Sequence, residues 1–280
     1  MGWLETAVDW FNNILWTYIL IALLVGAGLY FTFSTKFVQF RLFGEMFRLI
    51  TEKKEEKGGV SPFQAFTIST ASRVGTGNIT GVALAIGIGG PGAVFWMWII
   101  AIIGMATAFI ESTLAQVYKV RDGKNFRGGP AYYMEKALGS RKLGIVFSIL
   151  LILCFGFIFN AVQSNTIAAS VGEVFDIPPY LIGIVLVILT AIIIFGGVHR
   201  IVRVTQIVVP VMALFYLAIT LFVVITNISE VPGVFKLIVT HAFGLEEAVG
   251  GTIGAAIMQG VRRGLFSNEA GMGSVPNAAA

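Results

Sequence analysis

The chain has 280 residues, 56% of them hydrophobic and 12% charged, with a formal net charge of +4 and a mean hydropathy of +0.86. Soluble domains carry about 25% charged residues, and a chain this apolar cannot cover its own surface in water, which excludes a soluble enzyme. The basic residues fall in short clusters between apolar runs, which excludes nucleic acid as a partner and points to the lipid bilayer.

A membrane-spanning helix needs about 20 mostly apolar residues. Seven stretches meet that requirement, roughly 14–33, 63–88, 94–117, 144–171, 180–198, 204–226 and 249–272. Strand alternation is absent, so the expected fold class is all-α, a polytopic membrane protein of about seven transmembrane helices. The opening MGWLETAVDWFNN has no basic region before its apolar run, so that run is expected to remain as an anchor and not to be cleaved. Met1-Gly2 and Thr6 fit a myristoylation pattern, but Trp3 and the expected outer location of this terminus argue against it. Ser61-Pro62 reads as a helix cap followed by proline at the first helical position. Gly89-Gly90-Pro91-Gly92 reads as a tight outer turn, and Asp176-Ile177-Pro178-Pro179 as a break before the fifth segment. The run Glu52–Gly59 reads as a solvated cytoplasmic face.

Basic residues are one-sided. Lys36, Arg41, Arg48, Lys53, Lys54 and Lys57 lie between the first and second segments, and Lys119, Arg121, Lys124, Arg127, Lys136, Arg141 and Lys142 between the third and fourth. Arg200 and Arg203 fall between the fifth and sixth, while the opposite loops hold Lys236 with Glu173, Asp176, Glu230, Glu246 and Glu247. Positive charge stays inside, so the N-terminus is expected outside and residue 280 in the cytoplasm. Trp3, Trp10, Trp16, Trp96 and Trp98 then suit the outer interface.

The second segment carries the most chemistry. Its stretch Ser69–Gly81, STASRVGTGNITG, interrupts an apolar helix with glycines and with Arg73, Thr76, Asn78 and Thr80. In hydrocarbon an unpaired backbone group costs several kcal/mol, so a broken helix is tolerated only against protein or a watery cavity. Secondary transporters build sites from such breaks, aiming freed amides at a substrate carboxylate and freed carbonyls at a cation. Close helix packing through small residues is the plainer alternative. On the transporter reading, Thr76 and Gly77 donate backbone N–H groups to an anion, and Asn78 offers its amide oxygen to Na⁺. Arg73 either pairs with a carboxylate or contributes only its carbonyl. The seventh segment repeats the pattern with Gly250, Gly251, Gly254, Gly260 and Gly264, followed by Ser267, Asn268 and Glu269, which points to an inverted repeat. Arg262, Arg263 and Glu269 are expected in its inner half. Asn160, Gln163 and Asn165 in the fourth segment suggest a wet cavity wall, and Glu111 a pairing with a basic loop residue.

Cys154 sits in an apolar run and His199 and His241 are far apart, so no metal cluster is expected. Gly87-x-Gly89-x-x-Gly92 has no strand before it, GTGNITG lacks the lysine of a P-loop, and no nucleophile–base motif occurs. The protein is not expected to be an enzyme.

The run GGPGAVFWMWIIAIIG (89–104) resembles the signature of the sodium:alanine (alanine or glycine:cation) symporter family. SRVGTGNITGVALAIG, MATAFIESTLAQVYKVRDG, GGPAYYMEKALG and QGVRRGLFSNEAGMGS resemble further blocks of that family in the same order. The resemblance implies a leucine-transporter-type fold of five plus five helices in inverted repeat, preceded by one extra helix. It implies Na⁺-coupled uptake of alanine or glycine by alternating access, at the bacterial or archaeal plasma membrane. It also implies that the carbonyls of Ala71, Arg73 and Val74 join Asn78 as sodium ligands, and that Asn165 and residues around Gly260 line the substrate pocket with Gln163. The implied divisions are 1–60 for the N-terminal region, extra helix and basic loop, 61–228 for the first repeat, and 229–280 for the start of the second. Four core helices are then missing, so the chain is expected to be part of a longer transporter. A truncated, non-transporting relative acting as a binding or assembly partner is the alternative.

Overall fold

A computed structural model of the chain describes residues 2–52, 61–123, 125–244 and 253–280. Helix α1 (Gly2–Ile14) runs through a π-helical turn (Leu15–Leu20) into α2 (Ile21–Ser34), followed by the short α3 (Val38–Arg41) and α4 (Phe43–Ile50). Helix α5 (Pro62–Arg73) starts where the sequence says it should. Ser61 Oγ accepts from the Gln64 amide at 3.2 Å and Gln64 Oε1 accepts from the Ser61 amide at 2.9 Å, with proline at the first helical position. This reciprocal cap satisfies two orphan donors. Helix α6 (Thr76–Gly89) follows after a break, and α7 (Gly92–Val117) begins after Gly90, whose φ of +74° needs glycine.

A hairpin of β1 (Val120–Asp122) and β2 (Asn125–Arg127) pairs Arg121 with Phe126. Then come α8 (Pro130–Leu138), α9 (Arg141–Leu151), a second π stretch (Ile152–Ile158), α10 (Phe159–Phe175) and α11 (Pro179–Ile194). The last four helices are α12 (Gly197–Thr226), α13 (Val231–Ala242), α14 (Ile253–Asn268) and α15 (Ser274–Ala279). The expected break at Asp176–Pro179 is present, with Asp176 left-handed at φ 54°. The Glu52–Gly59 face falls, beyond Glu52, outside the described residues.

The helical, multi-pass expectation is met, with the spans resolved as follows. Among the described residues, four helices are long and apolar enough to cross a membrane: Glu5–Ser34, Gly92–Val117, Arg141–Phe175 and His199–Thr226. The other three windows hold shorter or interrupted helices among the described residues. The second is two helices, α5 and α6, with a break between them. The fifth is the 16-residue α11, and the seventh holds the 16-residue α14. Arg200 and Arg203, expected in a loop, lie inside α12, and Arg200 Nη1 donates to the Ile192 carbonyl at the end of α11 at 2.7 Å.

The chain groups into two compact units. The first comprises Met1–Met46, Gly77–Glu111 and Ile219–Met272. Its core joins Ile100 of α7 to Val261 and Leu265 of α14, with Ile21, Leu24 and Val25 of α2 packed against them. A second cluster joins Ala85 of α6 to Ala93 and Met97 of α7. Glycines set the helix approaches. A Cβ on Gly260 would stand 2.5 Å from the Ala93 carbonyl oxygen, and one on Gly264 3.2 Å from Ile100 Cβ. Helices α7 and α14 therefore run in the same direction, in contact through small residues four apart.

The second unit comprises Phe47–Thr76, Ser112–Ala218 and Gly273–Ala280. Here α15 packs on α5, α8 on α9 and α10 on α11. Gln64 Nε2 of α5 donates to Gln206 Oε1 of α12 at 2.8 Å.

Candidate functional site

The first break falls at Val74–Gly75. Val74 is extended (φ −89°, ψ 108°), and its amide still donates to the Thr70 carbonyl at 2.9 Å. A helix leaves its last carbonyls and its first amides without partners of its own. The carbonyls of Ala71 and Arg73 at the end of α5, and the amides of Thr76, Gly77 and Asn78 at the start of α6, fall in those positions. The break is also where the chain passes from one unit to the other.

In the second unit, Gln163 of α10 reaches this break: a Cβ on Gly75 would stand 2.5 Å from its Nε2. The other two amides of the expected wall are placed differently. Asn160 Nδ2 donates to the Gly156 carbonyl of its own helix at 3.0 Å. Asn165 is exposed, about 200° around the helix from Gln163.

In the first unit, α6 runs antiparallel to α14. Gly77 is buried against Phe266, where a Cβ would come within 3.0 Å of two ring carbons, and Gly89 at the other end lies over Ala255 and Gln259. The amide-rich start of α6 thus stands beside the carbonyl-rich end of α14. Asn78, one residue further, is half-buried. Gly260 is buried where α14 crosses α7, so its lack of a side chain is explained by that crossing.

The second interruption lies elsewhere than the glycines suggest. Gly254, Gly260 and Gly264 are inside a continuous α14, while Gly250 and Gly251 lie outside the described residues. The helix breaks instead across Glu269–Gly273, with Glu269, Gly271 and Gly273 at φ of 54°, 84° and 86°. Asn268 Oδ1 accepts from the Ala270 amide at 3.0 Å, and Glu111 Oε2 accepts from the Gly271 amide at 3.1 Å. From the sequence Glu111 is expected to meet a basic loop residue; in the structure it caps this break. Asn268 closes the break locally, whereas Glu111 is a functional candidate whose role only a contact distant in sequence reveals. In the second unit Asn277 Nδ2 donates to the Gly273 carbonyl at 2.6 Å.

Arg262 and Arg263 also move. Gly260 and Gly264, on either side of them, pack on Ala93 and on Met97–Ile100. The arginines therefore lie toward the Gly89–Gly92 turn, the end expected to be outer, and not in the inner half.

Long apolar helices together with two interrupted ones define a multi-pass membrane protein whose polar groups gather at the interruptions. The chain belongs to the sodium:alanine symporter family, whose profile matches residues 1–280. It is 61% identical over 269 residues to the amino-acid carrier protein AlsT of Bacillus subtilis, covering 96% of this chain and 58% of that protein. It is 55% identical to the probable sodium/glutamine symporter GlnT of the same organism, covering 99% of this chain and 58% of the relative. It is 40% identical to the sodium/alanine symporter AgcS of Methanococcus maripaludis, covering 98% of this chain and 62% of the relative. The chain therefore spans about three-fifths of the length of these curated relatives.

Proposed function

We propose that the protein to which this chain belongs is a Na⁺-coupled symporter of small neutral amino acids, alanine or glycine, working by alternating access in the plasma membrane. The observation that carries the reading is the meeting of the start of α6 with the end of α14 at Gly77 and Phe266. Helix N-termini attract anions and C-termini cations. Broken helices in transporters use these ends for a substrate carboxylate and its coupling ion. The amides of Thr76 and Gly77 bind the carboxylate. The carbonyls of Ala71, Arg73 and Val74 and the amide oxygen of Asn78 hold Na⁺, a hard cation that takes oxygen donors. Gln163 of α10, which reaches the break at Gly75, adds a side-chain amide to the proposed lining.

The sorting of the broken helices supports a five-plus-five inverted repeat of leucine-transporter type behind one extra helix. The earlier half of the first, α5, and the later half of the second, α15, pack together in one unit. The later half of the first, α6, and the earlier half of the second, α14, pack together in the other. That is the exchange an inverted repeat requires. The basic loops support an orientation with the N-terminus outside and residue 280 inside.

The relatives' names share sodium more than they share an amino acid: one says glutamine, another alanine. Substrate identity is tested by adding unlabelled alanine, glycine and glutamine to reconstituted full-length protein taking up labelled alanine in Na⁺. Competition by alanine and glycine well above that by glutamine is the expected result. Glutamine as the strongest competitor overturns the assignment.

A further inference from the structure

The first unit contains a cavity of about 320 Å³ beside α14, lined by Arg262, Arg263, Gln259, Asn12 and Trp16, with Phe266 at its wall. No Asp or Glu is among its lining residues, and neither arginine makes an ion pair among the described residues. Arg262 is held in place: its Nη2 donates to Thr17 Oγ1, which donates to Asn13 Oδ1 at 2.7 Å. Thr17 belongs to the π-helical turn of the N-terminal helix, a distortion that recurs at functional sites. Arg262 Nε is buried with no hydrogen-bond partner among the described residues, so the anchoring runs through Nη2.

Two adjacent guanidinium groups with no counter-ion among the described residues are costly in an apolar setting. Their donors match a carboxylate in bidentate geometry. Phe266 lines this cavity and also covers Gly77 at the start of α6, so one ring separates the two places.

We propose that this cavity is a second binding site, which takes the carboxylate of the incoming amino acid before it reaches the start of α6. The inference rests on the proposed function above. An anionic lipid headgroup offers the same chemistry, but the polar Gln259 and Asn12 and the shared Phe266 wall favour a small solute.

The test is alanine uptake by the full-length protein in phosphatidylcholine vesicles under a Na⁺ gradient, comparing wild type with Arg263→Gln, Arg263→Lys and Thr17→Val. Arg263→Gln is expected to raise the KM for alanine about tenfold and to leave the maximal rate and the Na⁺ half-saturation within about twofold. Arg263→Lys recovers part of that loss. Thr17→Val, which keeps both charges and releases Arg262, raises KM about threefold and decides the matter if Arg263→Gln does not fold. Wild-type uptake with unshifted KM in the variants overturns this site alone, as does a shift that appears only when anionic lipid is added. A wild type without Na⁺-dependent alanine uptake overturns the underlying function and this site with it.

Discussion

The carboxylate of Glu111 on α7 accepts a hydrogen bond at 3.1 Å from the amide of Gly271, in the interruption that follows α14. A backbone donor freed by a broken helix needs an acceptor from somewhere, and here a side chain 160 residues away supplies it. Replacing Glu111 with alanine is expected to destabilise the purified protein by about 1–3 kcal/mol. Glu111→Gln keeps a carbonyl acceptor and should lose less than half as much. Thermal midpoints in detergent check this, and equal midpoints for all three proteins would contradict it.

Glycines at close approaches divide into critical and replaceable positions. A Cβ on Gly92 would stand 2.5 Å from the Ala242 amide nitrogen and 2.6 Å from the His241 carbonyl carbon, both backbone atoms that cannot rotate away. Gly271 combines a φ of +84° with a side-chain neighbour, Leu24, in the path of a Cβ. Gly87 meets nothing within 4 Å. Gly92→Ala and Gly271→Ala are each expected to cost about 1–3 kcal/mol, whereas Gly87→Ala leaves yield and thermal midpoint unchanged.

Asn78 separates the ion from the amino acid. As the side-chain oxygen in the proposed Na⁺ set, it should be the residue whose loss is felt first in ion dependence. Asn78→Ala is expected to raise the Na⁺ half-saturation about tenfold, equivalent to roughly 1.4 kcal/mol. Because ion and substrate sites are linked, the apparent affinity for alanine should fall with it at fixed Na⁺. Titrating uptake with Na⁺ at saturating alanine measures the first effect directly.

What the sequence makes legible is local. The start of α5 is readable because Ser61, Pro62 and Gln64 carry the whole cap among themselves. The first break is readable because glycine and polar residues interrupt an apolar run at one place. The second is misplaced because Gly260 and Gly264 sit four apart for helix packing, which looks like interruption in one dimension. Its true position depends on Glu111, which only the fold brings near. The helix α8 between Gly129 and Gly139 is missed, although Pro130 at its start and Gly139 at φ 67° beyond its end are the usual boundary pair. The hairpin at Val120–Arg127 carries no comparable pattern over its three-residue strands.

The central claim is that the two interruptions serve sodium-coupled transport. The most direct test is uptake of labelled alanine by the full-length protein in proteoliposomes, with an inward gradient of Na⁺ or of choline. The account predicts concentrative uptake in Na⁺ that collapses in choline and is abolished by a sodium ionophore. Equal uptake in the two gradients would contradict it.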